Sequence, residues 1–159
     1  MQRLQRILVG VALGVTVAVA TASVPAAQDK SAIVKERQEA MKQLGDHMKA
    51  INAFVESGTG SADDVATRAA SIQEVAEKIP DLFPEGTSME DDVGKTGAKP
   101  VIWTQWEEFQ SAAQKLADEA AQLASAAADG NQEAIAGRFA SLGKNGCGGC
   151  HTTFRQKLD

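Results

Sequence analysis

Residues 31–56 read SAIVKERQEAMKQLGDHMKAINAFVE and carry the clearest helical pattern in the chain. Apolar side chains recur along this stretch at intervals of three, four or seven residues, at Val34, Met41, Leu44, Met48, Ile51 and Val55. Residues at such intervals share one face of an α-helix. The pattern therefore predicts an amphipathic helix that ends near Gly58 and buries this apolar stripe against other helices.

Three further segments show the same helical periodicity, and alanine is abundant in them. They are predicted over residues 62–78, 100–128 and 131–157. Ser61 is a suitable N-cap for the second helix, and Pro100 suits the first helical position of the third. Arg155 and Lys157 are cations, which favour the C-terminus of the fourth helix.

Four amphipathic helices joined by mostly short connections predict an all-α fold, an antiparallel four-helix bundle in which the first and fourth helices also pack side by side. One connection is an exception. Residues 80–99 contain prolines and glycines and form a longer link than a helix hairpin needs. Because long loops often carry function, we expect a site beside this loop.

The N-terminus has the layout of a secretory signal peptide, predicted over residues 1–27. Arg3 and Arg6 precede an apolar run that ends in small residues, so cleavage is expected after Ala26 or Ala27. The run is short for a membrane span, and we expect no membrane insertion of the mature protein. Loss of the two arginines takes the net charge from −5 to about −7. An acidic exported domain, 28–159, indicates a periplasmic protein that does not bind nucleic acid.

Both cysteines of the chain lie with a histidine in GCGGCHTTFRQK, residues 146–157. In an oxidising compartment the thiols are expected to be bonded to something. A thioredoxin-like redox pair normally belongs to a βαβ pattern, which the sequence lacks. Structural zinc needs four ligands, and the other histidine, His47, stands alone. A disulfide between Cys147 and Cys150 closes only a small loop and leaves His151 without a role.

The spacing C-x-x-C-H indicates a different chemistry, the covalent attachment of haem. In this chemistry Cys147 and Cys150 add to the two vinyl groups and His151 binds the iron. Residues three and four apart on a helix project from one face, as a flat macrocycle laid along that face requires. The sequence therefore predicts one haem c, attached near the C-terminal end.

The iron also needs a sixth ligand if it is to be saturated. No methionine follows His151, so a methionine ligand has to come from upstream, from Met41, Met48 or Met89. Met41 and Met48 share the stripe of the first helix, which is expected beside the fourth, whereas Met89 lies in the loop. Their helical positions predict that three other side chains pack in the core: Met48, Trp103 and Trp106. His47 is predicted to face solvent.

Two polar residues, Arg37 and Gln38, interrupt the stripe of the first helix one turn before Met41. Polar groups on a core-facing stripe are costly without partners. A haem propionate is one partner for Arg37, and a polar pocket beside the iron suits Gln38. The alternative is that the helix rotates so that both side chains reach solvent.

Four separated stretches carry a resemblance to a known family. They are ERQEAMKQLGDHMKAI in the first helix, LFPEGT in the loop, KPVIWTQWEEF at the start of the third helix and CGGCHTTFR at the end. In this order they resemble the class II cytochromes c, which comprise the cytochromes c-prime and their six-coordinate relatives of the cytochrome c-556 type. The resemblance covers nearly all of the mature chain.

The resemblance implies a role for each matching residue. It makes Cys147 and Cys150 the thioether attachments, His151 the proximal ligand, Arg37 and Gln38 a haem-contacting pair, Arg155 a contact one turn beyond the histidine, and Thr87 a neighbour of a haem edge. The resemblance also puts Met41 at the distal position. The low-spin relatives have a methionine there, and it binds the iron. In typical cytochromes c-prime a bulky apolar residue there leaves the iron five-coordinate, and in some members a methionine merely packs.

These features favour electron transfer by a His/Met-ligated iron, because a thioether sulfur opposite an imidazole favours the reduced state. The expected partners are periplasmic or membrane-bound redox proteins, with a homodimer possible. If Met41 only packs, the open distal face suits nitric oxide or carbon monoxide instead. A helical interaction protein with a C-x-x-C disulfide is the third interpretation. No nucleophile lies beside a base in the sequence, so an enzyme is not expected.

Overall fold

The computed structural model describes residues 29–158, and the predicted signal peptide lies outside the described residues. Helices account for most of this range: α1 Lys30–Ser57, α2 Ala62–Lys78, α3 Val101–Thr104, α4 Trp106–Ala128, α5 Gln132–Ser141 and α6 Gly149–Phe154. A π-helical segment, Leu142–Gly148, joins α5 to α6, and a short 3₁₀ turn, Pro80–Leu82, follows α2. None of the helices described is long and apolar enough to cross a membrane.

The helices pack as a ring of antiparallel neighbours. α1 packs on α2 and on α5, α2 packs on α4, and α4 packs on α5, the π-helical segment and α6. Each long helix contributes almost wholly buried side chains to the centre, among them Ile51, Ile72, Leu123, Ile135 and Leu142. The prediction of an all-α four-helix bundle is confirmed, with α5, the π-helical segment and α6 together forming the fourth helix.

The first two helices follow the predicted bounds because their ends are determined locally. Gly58 closes α1 in the left-handed conformation, with φ 67°, and its N–H donates to the carbonyl oxygens of Ala53 and Phe54. Ser61 caps α2: its hydroxyl accepts from the N–H of Asp64, and the Asp64 carboxylate accepts from the N–H of Ser61. This reciprocal pair is a capping box.

The prediction of one continuous third helix is wrong, because the structure has two helices there, α3 and α4. Pro100 precedes α3 as its N-cap, and Gln105 leaves helical geometry with φ −123° and ψ 52°. At this break the indole N–H of Trp103 donates to the carbonyl oxygen of Phe83 at 3.0 Å. Trp103 and Trp106 are half-buried against the core, so their predicted packing is confirmed.

The fourth predicted helix also differs from the structure at its end. It ends at Phe154 and not at Lys157, and Arg155 is extended, paired with Ala98 in an isolated bridge. Lys99, which comes from the long loop, adds a cation at this helix end and donates from Nζ to the carbonyl oxygen of Thr153. Arg155 is the C-cap residue of the shortened helix, so one of the two predicted cations lies at the helix end and Lys157 lies beyond it.

Candidate functional site

The turn that carries the cysteines is held closely against α4. Cys147 lies in the π-helical segment, and Cys150 and His151 lie in the first residues of α6. Gly146 is buried where these helices meet, and a Cβ at this position would lie 2.9 Å from Cδ1 of Leu116. A glycine at this position therefore lets the turn approach α4 without displacing a core side chain.

π-helical turns are rare and occur frequently at functional sites. Apolar periodicity does not predict the segment between Leu142 and Gly148, because seven residues with few apolar side chains cannot distinguish α from π geometry. Gly143, Gly146 and Gly148 disfavour a regular α-helix here, but they do not indicate which other geometry replaces it. The segment contains Cys147 and ends two residues before Cys150, so the two cysteines lie in turns of different helical geometry.

The two thiols are free, half-buried and packed against the hydrophobic core. Burial raises the pKa of Cys147, and burial together with the neighbouring Cys147 raises the pKa of Cys150 to about 11. Both are therefore neutral thiols at neutral pH. Desolvation, followed by the positive charge of Arg155, lowers the pKa of His151. Its imidazole is therefore neutral at pH 7, which leaves a nitrogen lone pair for a metal.

The donor set fits haem attachment better than a single metal ion. Within residues 29–158, no three His, Cys, Asp or Glu side chains come together as ligands of one ion. Structural zinc requires four converging ligands, so the zinc interpretation has no support here. Haem c instead takes thiols at the edge of the macrocycle and an imidazole on the iron, so Cys147, Cys150 and His151 need not converge.

Arg37 is buried and bonded to the long loop. Its Nη1 donates to Oγ1 of Thr87 at 3.3 Å, and its Nη2 donates to the carbonyl oxygen of Thr87 at 3.0 Å and to Oγ1 of Thr96 at 2.8 Å. The guanidinium carbon lies 4.3 Å from the centroid of the Phe83 ring. Burial lowers the pKa of Arg37 to about 10, so the group stays cationic at neutral pH.

Rotation of α1 to expose both polar residues therefore does not occur. Arg37 points inward, 4% exposed, whereas Gln38 is exposed and donates from Nε2 to the carbonyl oxygen of Lys95 at 2.6 Å. Thr87 is wholly buried, and its hydroxyl donates to the carbonyl oxygen of Pro84 at 2.8 Å. These partners belong to the loop, which the sequence predicted as the border of a site without identifying any contact.

The methionines differ in their placement. Met41 and Met48 are half-buried on α1 and pack against the core, whereas Met89 is 41% exposed in the loop. The prediction that Met48 packs in the core is supported by its neighbour: its Cε lies 3.8 Å from the position of a Cβ on Gly143. His47 is half-buried and its Nδ1 is buried without a hydrogen-bond partner, so the prediction that it faces solvent is only partly right.

The loop also contacts the end of α6, and so lies between the two predicted halves of the site. The N–H of Lys99 donates to the carbonyl oxygen of Phe154 at 3.1 Å, and the N–H of Gln156 donates to that of Gly97 at 2.8 Å. Residues 80–99 therefore bring the first half of α1 and the cysteine-histidine turn to the same end of the bundle. Arg155 is exposed at this end, one turn beyond His151.

Known proteins share both the sequence pattern and the fold. A family model described as Cytochrome C' matches residues 32–155. A cytochrome c' from Pararhodospirillum photometricum is 41% identical over 125 residues, 79% of this chain and 97% of that protein. A cytochrome c-556 from Agrobacterium tumefaciens strain II Chrys is 38% identical over 127 residues, 78% of this chain and 97% of that protein.

Solved structures agree with the sequence relatives. A cytochrome c' described as having an unusual ligand-controlled dimer dissociation superposes with a TM-score of 0.75 at 28% identity, covering 83% of this chain and 100% of that chain. The two cysteines are consistent with the C-x-x-C-H type of attachment. The chain belongs to the cytochrome c' family, whose members bind a single covalent haem c.

Proposed function

We propose that this protein is a periplasmic electron carrier whose single haem c is attached through Cys147 and Cys150, with His151 and Met41 as the iron ligands. The observation that carries the proposal is the orientation of α1. Arg37 is buried, and Met41 lies four residues later, on the same helix face. The face that bears Met41 is therefore turned toward the interior at the loop end of the bundle.

Each residue has a chemical reason for its proposed role. Neutral His151 offers a nitrogen lone pair, and the Met41 thioether is a soft ligand that favours ferrous over ferric iron. When bound, the haem supplies an iron that exchanges one electron. Arg37 is a buried cation suited to pairing with a propionate. We place Gln38, Thr87 and Arg155 around the haem edges, because the loop end gathers all three.

The proposed location and partners follow from charge and from the N-terminal pattern. Residues 1–27 have the layout of an export signal, and the acidic domain that follows suits a basic partner. We propose redox proteins of the periplasm or the membrane as partners, in small transient contacts. The protein acts in this proposal as a carrier and not as an enzyme.

A second function has support from the relatives. The 41% identical relative is named cytochrome c', and one solved neighbour is described by its ligand-controlled dimer dissociation. If Met41 packs without binding the iron, the protein is instead a five-coordinate cytochrome c' that takes nitric oxide or carbon monoxide. The proposal includes a homodimer of this chain in either case.

The test compares Met41→Ala with Met48→Ala in the mature haem protein. Both changes shorten a half-buried methionine of α1, so both lose apolar packing. We expect only Met41→Ala to change the iron from low to high spin and to permit carbon monoxide binding. An unchanged spectrum in Met41→Ala, or the same change in both variants, would remove Met41 from the ligand set.

A further inference from the structure

Four consecutive loop residues, Thr96, Gly97, Ala98 and Lys99, are bonded on one side to α1 and on the other to the end of α6. We call these residues the 96–99 strap. The two helices it joins carry the distal and proximal residues of the proposed site. Because the strap is only four residues long, it restricts how far apart these helices can lie.

On the α1 side the contact is made by a buried hydroxyl. Thr96 is 7% exposed, and its Oγ1 accepts from Nη2 of Arg37 at 2.8 Å, the shortest hydrogen bond that Arg37 makes. The same oxygen accepts from the N–H of Ala98 at 3.3 Å. This hydroxyl therefore links the turn of α1 that precedes Met41 to the backbone of the strap.

On the α6 side the strap caps the helix that carries His151. The last carbonyl groups of a helix have no partner within the helix. Lys99 donates to two of these groups. Its N–H donates to the carbonyl oxygen of Phe154 at 3.1 Å, and its Nζ donates to the carbonyl oxygen of Thr153 at 2.7 Å. The positive charge of Lys99 is also favourable at a helix C-terminus.

Gly97 fixes how closely the strap approaches the chain after α6. Its carbonyl oxygen accepts from the N–H of Gln156 at 2.8 Å. A Cβ on Gly97 would overlap the carbonyl oxygen of the same Gln156, a backbone atom with no freedom to turn aside. α6 has only six residues, so a shift at its end moves the whole helix, including His151.

We propose that the 96–99 strap is a positioning element that sets the separation between His151 and the distal turn of α1, and thereby the strength of the sixth iron bond. The proposal rests on the proposed function, since it takes Met41 as the sixth ligand. Thr96, Gly97 and Lys99 are positioning residues in this proposal. They act through Arg37 and α6, not by contact with the iron.

Three strap variants test the proposal, each with a matched control elsewhere in the bundle. They are Thr96→Val with control Thr67→Val, Gly97→Ala with control Gly137→Ala, and Lys99→Met with control Lys115→Met. The control residues are exposed on α2, α5 and α4, and a Cβ on Gly137 meets no atom within 4 Å. Each control makes the same chemical change away from the strap.

The first readout is carbon monoxide binding to the reduced mature protein. Loss of one hydrogen bond changes an equilibrium constant by about five- to tenfold. We expect Thr96→Val and Lys99→Met to raise the fraction with Met41 dissociated, and the rate of carbon monoxide binding, by about this factor. We expect a greater increase in this rate for Gly97→Ala than for the other two variants. The controls are expected to bind carbon monoxide at the rate of the parent protein.

The second readout is the iron–imidazole stretching band, recorded by resonance Raman in the Met41→Ala background. It reports on His151 alone, so it separates the strap from the proposed sixth ligand. If the parent protein already binds carbon monoxide as fast as Met41→Ala, the proposed function fails. The positioning role of the strap is then tested by the iron–imidazole band alone. A band shifted by the strap variants and not by the controls supports the strap. If the strap variants match their controls in both readouts, the proposal is overturned. If Gly97→Ala does not fold, Thr96→Val and Lys99→Met provide the test.

Discussion

The two ends of the bundle are closed in different ways. At one end, α1 and α2 are joined through Gly58 and Ser61, whose hydrogen-bond partners lie within five residues of them along the chain. At the other end, Arg37 bonds to Thr87 and Thr96, which are 50 and 59 residues away. The first end is formed by local contacts and is exposed, whereas the second depends on a buried polar network between distant parts of the chain.

We expect the greatest change when the covalent link at the loop end is removed. The double variant Cys147→Ser and Cys150→Ser removes both thiols, so no thioether bond to a haem vinyl group can form. We expect no haem to remain on the polypeptide after denaturing electrophoresis. A haem band that survives in the double variant would show that this turn is not where the chain holds its cofactor.

The next effect is on the buried network itself. Arg37→Ala removes three hydrogen bonds from a charged donor and the contact with Phe83. We expect a loss of about 2–4 kcal/mol in the free energy of unfolding, measured by urea denaturation. Gln38→Ala is the matched control, because this exposed neighbour donates a hydrogen bond to the same loop, at Lys95, and its loss is expected to cost less than about 1 kcal/mol. Equal losses would mean that burial of Arg37 is not what holds the loop.

A smaller effect is expected where the cysteine turn meets α4. Gly146→Ala places a Cβ against Leu116, and overpacking of this kind costs about 1–3 kcal/mol of stability. Gly137→Ala on α5 has open space around the new Cβ and is expected to be neutral or stabilising, since alanine favours helix. The two variants are compared by thermal unfolding. If Gly146→Ala is as stable as Gly137→Ala, the close approach to α4 is not required.

The smallest effect is expected at the locally closed end. Ser61→Ala removes the N-cap of α2 and should cost about 1 kcal/mol. Hydrogen bonds from Ser61 lower the pKa of Asp64, so their stabilising effect is present at neutral pH and is lost as the pH falls through this lowered pKa. The difference between Ser61→Ala and the parent should therefore be smaller at about pH 3 than at pH 7. A difference that grows on acidification would contradict the capping box.

The comparison also explains which parts of the fold were predictable. Residues 62–78 were placed correctly because Ser61 and the apolar spacing act within one or two turns. The break at Gln105 and the end of α6 at Phe154 were not predicted. Both depend on hydrogen bonds with residues distant in the sequence, from Trp103 to Phe83 and from the strap to α6. The π-helical segment has only seven residues, few of them apolar, so it is too short to show a period that differs from that of an α-helix.

The same distinction applies to the site. Cys147, Cys150 and His151 are neighbours in the sequence, so their spacing alone indicated haem attachment. The sequence identified Arg37 as a polar residue on an apolar stripe, but it did not show that Thr87 and Thr96 are its partners. Those contacts form only when the loop folds back across α1, and no local pattern encodes them.

The proposed His151 and Met41 ligation is tested by the absorption spectrum of the mature protein, made in a host that matures cytochromes c and recorded oxidised and reduced, with and without carbon monoxide. We expect a sharp low-spin spectrum that carbon monoxide does not change, because Met41 and His151 would both bind the iron. A broad high-spin spectrum that shifts on addition of carbon monoxide would contradict it and would establish the open, gas-binding form.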